Sequence, residues 1–160
     1  MKKLTTNAKV GIGIIAVILI ILAVNYDATP KNAIINTYQG TKITIFKSQS
    51  CGCCGGFIAE IQRQGFDVSV KEMSNINDIK EKHRIPETMT SCHTSEIEGY
   101  FIEGHMPIEA IIKLLDERPD IDGIALPGMP PGVPGMAGVK NQEWIVYSIK
   151  DGKSEVFMRI

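Results

Sequence analysis

Three of the chain's four cysteines fall within four residues, Cys51-Gly52-Cys53-Cys54, and Gly55-Gly56 follows directly. The fourth, Cys92, stands beside His93. Such a pattern concentrates soft, ionisable sulfur at one point and supplies a second Cys-His arm that can close over it. Soft thiolate and thioether ligands select Cu(I) and zinc over harder ions. The first chemistry implied is therefore capture of a thiophilic metal, with copper ahead of zinc. Sulfurs this crowded can also bridge ions, so the expected site takes more than one copper. Zinc is the weaker candidate, because its sites usually pair two C-x-x-C-like arms, or one such arm with a histidine pair.

Cys51 and Cys54 also form a C-x-x-C pair, which gives a second chemistry, thiol-disulfide exchange. A cysteine at the first turn of a helix meets unpaired N–H groups and the positive end of the helix dipole, and both favour thiolate. Cys53 weighs against exchange, since a third thiol beside a redox pair invites unwanted isomers but is a useful extra metal ligand. A third reading has the four cysteines forming two structural disulfides, with three pairings open. Adjacent Cys53 and Cys54 would bridge only with strain. Further soft or nitrogen donors are His93, His105, Met106, Met129 and Met136, of which the last two lie in a Pro/Gly-rich stretch where no packing period accounts for them.

The elements that must hold these residues follow from the hydrophobic spacing. Ile43 and Ile45 alternate as in a strand over 41–47, and Phe57, Ile58 and Ile61 recur at helical spacing from Cys54, with Gly65 placed to end the helix. A second strand at 66–70 completes a strand–cysteine loop–helix–strand unit of parallel type. A short helix is expected at 75–83, then a polar stretch at 88–95 carrying Cys92 and His93, and a strand at 97–103. Pro107 suits the start of a helix whose buried face carries Ile108, Ile111, Ile112, Leu114 and Leu115, stopped by Arg118-Pro119. A brief strand at 123–126 leads into the Pro/Gly-rich segment 127–136, and Asp151-Gly152 joins strands at 144–150 and 155–160 as a hairpin. This is the order of an α/β, thioredoxin-like domain spanning 41–160, with residues 75–103 as an inserted segment.

Of the 160 residues, 44% are apolar and 22% charged, which suits one globular domain once a targeting segment is set aside. Val10 to Val24 is uninterrupted by charge, and Lys2, Lys3 and Lys9 precede it. The run is short for a spanning helix of about 20 residues, and no small-x-small cleavage site stands out. An uncleaved signal-anchor at 1–27 is therefore favoured over a removed signal peptide, followed by a polar linker at 28–40. Lysines ahead of the run put the N-terminus in the cytoplasm and the domain outside, exported but held at the membrane by its anchor. Beyond residue 24 the chain holds 14 basic against 18 acidic side chains, a balance that attracts no nucleic acid.

At four motifs the chain resembles the exported copper-resistance proteins called CopG: Cys51-Gly-Cys-Cys-Gly-Gly56; Ser91-Cys92-His93-Thr94; Gly99-Tyr100 with Glu103-Gly-His-Met-Pro107; and Leu126-Pro-Gly-Met-Pro130 with Pro134-Gly-Met136. In this order they span most of residues 43 to 136. The resemblance implies a thioredoxin-like fold, a periplasmic or outer-membrane-facing location (with the anchor at 1–27, a periplasmic domain held in the inner membrane), copper handling in metal stress alongside other copper-handling proteins, and Cys51, Cys53, Cys54 and Cys92 as metal ligands. The reading is thus a membrane-anchored protein that binds Cu(I) and cycles it with Cu(II), with an exported oxidoreductase using Cys51 and Cys54 as the alternative.

Overall fold

The computed structural model describes residues 37–160. The anchor read at 1–27, and the linker as far as residue 36, lie outside the described residues. Among those described, no helix is long and apolar enough to cross a membrane.

Alternation makes Lys42–Ser48 the strand β1, with Ile43 and Ile45 buried on one face. The chain passes through the cysteine loop into α1 (Cys54–Arg63), where Cys54, Phe57 and Ile61 share the buried face. Gly65, at φ +92°, reverses the chain after the helix, as its lack of a Cβ allows. β2 (Asp67–Met73) returns parallel to β1 and forms one edge of the sheet, which completes the expected strand–loop–helix–strand unit.

Residues 75–103 are not an insertion. After α2 (Asn77–Lys82) they form β3 (His93–Ile97) and β4 (Tyr100–Glu103), a hairpin in the middle of a seven-stranded sheet of order β2-β1-β3-β4-β5-β6-β7. Glu98 and Gly99 turn the hairpin with φ of +46° and +89°, the pair of positive angles that a two-residue turn needs to match strand twist. Hydrophobic spacing conceals β3 because His93, Thr94 and Ser95 are all fully buried although polar. A strand whose inward side chains are polar carries no apolar alternation to find.

Pro107 caps α3 (Ile108–Glu117) from outside its first turn, and Arg118 ends it in a left-handed conformation at φ +44°. Ile111, Leu114 and Leu115 are buried as expected, Ala110 joins them, and Ile108 and Ile112 are half-buried. β5 (Gly123–Ala125) then runs parallel to β4, and after the Pro/Gly-rich segment β6 (Ile145–Lys150) and β7 (Lys153–Arg159) close the sheet as the hairpin expected around Asp151-Gly152. Phe57 and Ile61 of α1 and Ile111 and Leu114 of α3 pack with Ile43, Ile45, Ile102 and Ile124 as one apolar core. Phe101, next to Ile102 in β4, belongs to a separate cluster with Ile85, Ala125 and Ile149, as the two-residue period of a strand dictates. Truncating Phe57 to Ala would cost about 3–5 kcal/mol, and with it the packing of the helix that begins at Cys54.

Candidate metal centre

Strand direction gathers the site. β3 runs antiparallel to both β1 and β4, so the end of β1, the start of β3 and the end of β4 lie at the same rim of the sheet: Lys47 pairs with His93, and Thr94 with Glu103. Three segments therefore meet there. They are the cysteine loop after β1, Cys92-His93 at the start of β3, and Gly104-His105 just past β4.

The four Sγ atoms of Cys51, Cys53, Cys54 and Cys92 all lie within 4.8 Å of one another. Cys92 Sγ is 3.9 Å from Cys53 Sγ and 3.8 Å from Cys54 Sγ, and Cys51 Sγ is 3.8 Å from Cys53 Sγ. Cys92 also anchors a second group, with His93 Nδ1 at 3.2 Å and His105 Nε2 at 3.1 Å. His93 Nδ1 stands 3.5 Å from Cys54 Sγ as well, so the two groups share a boundary. Cys54, His93 and His105 are fully buried, while Cys51, Cys53 and Cys92 remain half-buried at the mouth.

His105 has its tautomer fixed from behind. Its Nδ1 donates to the Pro134 carbonyl at 2.7 Å, which leaves the Nε2 lone pair aimed at Cys92. That carbonyl is delivered by a backbone-to-backbone contact: a Cβ on Gly135 would lie 2.3 Å from Phe57 N, so only glycine lets the Pro/Gly-rich segment settle on the first turns of α1. The Phe57 ring lies 4.5 Å from the His93 ring and 5.6 Å from that of His105, centroid to centroid, and walls the imidazoles from water. Burial depresses His93 to about 3, with the nearby His105 and Lys80 adding to the shift. Burial likewise lowers His105, against the opposing pull of the Pro134 carbonyl. Both rings are thus neutral donors near neutral pH, the state that metal ligation requires. Burial, and then the neighbouring Cys53, push the Cys92 thiol up to about 12.

One disulfide is present, between Cys51 and Cys54, whose Cα atoms are 5.6 Å apart; Cys53 and Cys92 are free thiols. That arrangement overturns the reading of four cysteines as two structural disulfides. Of the expected methionines, Met106 is fully buried in the apolar core, Met136 packs against that core, and Met129, at φ +46°, lines a groove with Trp144 and Tyr147. Two residues escaped the sequence reading as contributors to this region. Lys80 and Glu103 form a buried ion pair, and Glu103 accepts from the backbone N–H of Ser91, next to Cys92. The available signal was a carboxylate closing the otherwise apolar strand Tyr100-Phe-Ile-Glu103.

The described residues form a mixed α/β domain with a cysteine-histidine cluster at one rim of its sheet, of the class whose ligand atoms could hold a metal ion. Two solved structures resemble the whole of it. They are forms 1 and 2 of a copper resistance protein CopG, each 35% identical to this chain, covering 76% of it and 98–99% of their own length at a TM-score of 0.70. The chain belongs to the CopG family of copper resistance proteins. Residues 89–136, which hold Cys92, His93 and His105, match the family described as "Protein of unknown function, DUF411". No curated protein matches the chain.

Proposed function

We propose that this protein binds copper as Cu(I) through Cys51, Cys53, Cys54 and Cys92 and serves copper resistance by sequestering or relaying the ion. The single observation that carries the reading is the mutual approach of the four sulfurs, all within 4.8 Å. Two sulfurs sharing one metal at about 2.3 Å stand roughly 3.8 Å apart at a tetrahedral angle and 4.0 Å at a trigonal one. The non-bonded Sγ separations of 3.8–3.9 Å match that requirement. The binding form is the reduced one, in which two electrons and two protons have opened the Cys51–Cys54 bridge and all four thiols can ionise. When bound, copper supplies the redox chemistry of the Cu(I)/Cu(II) couple. The chain's own part is to hold soft sulfur for Cu(I), to offer neutral nitrogen from His93 and His105 for Cu(II), and to exclude water with Phe57.

Two adjoining donor groups that share Cys92 support a multinuclear site. The frame supports a thioredoxin-like reading, with β1, α1, β2, α2, the β3–β4 hairpin and α3 as its core and β5–β7 as an addition. The apolar run 10–24 supports an inner-membrane anchor and a periplasmic domain, with copper passing to other copper-handling proteins. An oxidoreductase using Cys51 and Cys54 is less well supported, because Cys53 and Cys92 stand close enough to scramble the disulfide.

Anaerobic titration of the reduced full-length protein with Cu(I), against a competing chelator, tests the reading. Uptake beyond one copper per chain, with thiolate-to-copper absorption in the ultraviolet, is the expected result. No uptake against the chelator, together with insulin reduction at a rate indifferent to copper removal, would transfer the function to Cys51 and Cys54 as an exchange enzyme.

A further inference from the structure

Behind the sulfur cluster lies a second polar group that the copper reading leaves unused. Glu103 is fully buried and its carboxylate collects three donors: the Lys80 ammonium, the Ser91 backbone N–H at 2.5 Å and the Thr94 hydroxyl at 2.6 Å. Lys80, itself buried, also donates to the Thr94 hydroxyl at 3.3 Å. Two of these bonds bracket Cys92-His93 along the chain, at Ser91 on one side and Thr94 on the other. Stability alone is a poor explanation for the pair. Desolvating two charges commonly costs as much as their attraction returns, and well-packed apolar substitutes are often as stable or more so.

The backbone around Glu103 reinforces the bracket. Gly104 N donates to His93 O at 2.9 Å, and Leu126 N donates to Glu103 O at 3.0 Å. A Cβ on Gly104, where φ is +85°, would come within 2.9 Å of both the Ser91 side chain and Leu126 O, so Ser91 is seated directly against the residue that precedes His105. One carboxylate and one glycine thereby set the distance between the segment bearing Cys92 and the segment bearing His105.

We propose that Lys80 and Glu103 are positioning residues of the metal centre: the buried pair holds the Ser91–Thr94 segment so that Cys92 Sγ stands between His93 Nδ1, His105 Nε2 and the sulfurs of the cysteine loop. This deepens the copper reading and rests on it. Groups that orient metal ligands from behind typically change metal affinity by about 10- to 100-fold when removed.

The test replaces the pair with an apolar one, Lys80→Met with Glu103→Leu, in the full-length protein, so that no buried charge is left alone. The double variant is expected to stay folded, to bind Cu(I) about 10- to 100-fold more weakly, and to show an altered thiolate-to-copper absorption band. In the reduced, metal-free protein, Cys92 is expected to alkylate faster, and the histidine ring NMR signals of His93 and His105 to shift. Unchanged copper affinity, spectrum and alkylation in a folded double variant would overturn the proposal. Should that variant fail to fold, Thr94→Val removes the hydroxyl's bonds to Glu103 and Lys80 while leaving the ion pair and the Ser91 bond in place, and the same readings apply. If the wild-type protein takes up no copper, the function proposed above fails, while the alkylation and NMR comparison still decides whether the pair positions Cys92.

Discussion

Two buried polar clusters lie back to back along β3, and they are built on opposite principles. The one around Lys80, Thr94 and Glu103 is closed: its charged and hydroxyl groups find one another inside the protein. The one around Cys92, His93 and His105 is open: Cys92, like Cys53 of the cysteine loop, is a half-buried free thiol, and His93 Nε2 has no partner. Burying an unpaired polar group ordinarily costs about 1–3 kcal/mol, so the fully buried His93 carries a cost that the closed cluster avoids. One strand thus carries a fastening at Thr94 and a binding surface one residue earlier, at His93.

Substitutions should separate the two. Lys80→Ala leaves the Glu103 carboxylate buried without its cation, and the expected loss is about 3–5 kcal/mol of stability, read from urea unfolding of the reduced, metal-free protein. Cys53→Ser removes a half-buried sulfur from the open cluster and is expected to stay within about 1 kcal/mol of the parent in the same measurement. Its effect belongs on copper instead, with a lower stoichiometry or a much weaker affinity in anaerobic titration. Equal losses of stability in both variants would erase the contrast between fastening and binding surface.

Copper itself sharpens the comparison next. A ligand that binds only the folded state at a thousand times its Kd adds about 4 kcal/mol, so Cu(I) should raise the melting temperature of the reduced protein and of Lys80→Ala, yet do little for Cys53→Ser. Oxidation to the Cys51–Cys54 disulfide withdraws two of the four sulfurs and is expected to reduce the copper taken up per chain. A smaller effect is expected from Gly135→Ala. Its new Cβ would press on Phe57 N at 2.3 Å and sit at φ +81°, a cost of at least about 1 kcal/mol, and would pull the Pro134 carbonyl from His105. The check is whether copper affinity falls along with stability.

How much of this was legible beforehand depended on what each residue is hidden from. β1, α1, α3 and the last hairpin were readable because Ile43 and Ile45, Phe57 and Ile61, Leu114 and Leu115, and the Asp151-Gly152 turn follow ordinary apolar periods and turn chemistry. The cysteines were readable as composition, and Cys92-His93 as a plausible complement. β3 was not, since the strand that carries the site buries His93, Thr94 and Ser95, and the partners that satisfy Thr94 stand 9 and 14 residues away in sequence. The pairing of Cys51 with Cys54, the carbonyl behind His105 and the carboxylate behind Cys92 are likewise facts of three dimensions. Spacing alone left several pairings open, and neither Pro134 nor Glu103 carries a mark of the partner it meets.

The far end of β3 completes the comparison with the smallest effect. Glu96 is partly exposed and bonded by Lys82 at 2.6 Å and His83 at 2.8 Å, so it is neither a closed buried pair nor an open site. Burial pushes its carboxyl up, but the hydrogen bonds and charges of Lys82 and His83 outweigh that and leave it below the ordinary glutamate value. A carboxylate held below its unfolded value stabilises the fold above that value and loses the contribution as pH falls through the folded one. Glu96→Gln should therefore cost between about 0 and 1 kcal/mol at neutral pH, and the gap between the urea midpoints of variant and parent should close as pH drops below the usual glutamate range. It should leave copper uptake untouched, because Glu96 faces Phe101 across the hairpin and lies toward the opposite rim from His93. A gap that persists in acid, or a change in copper affinity, would show that β3 transmits strain along its length, and that the fastening at Thr94 does not isolate the metal centre from the rest of the strand.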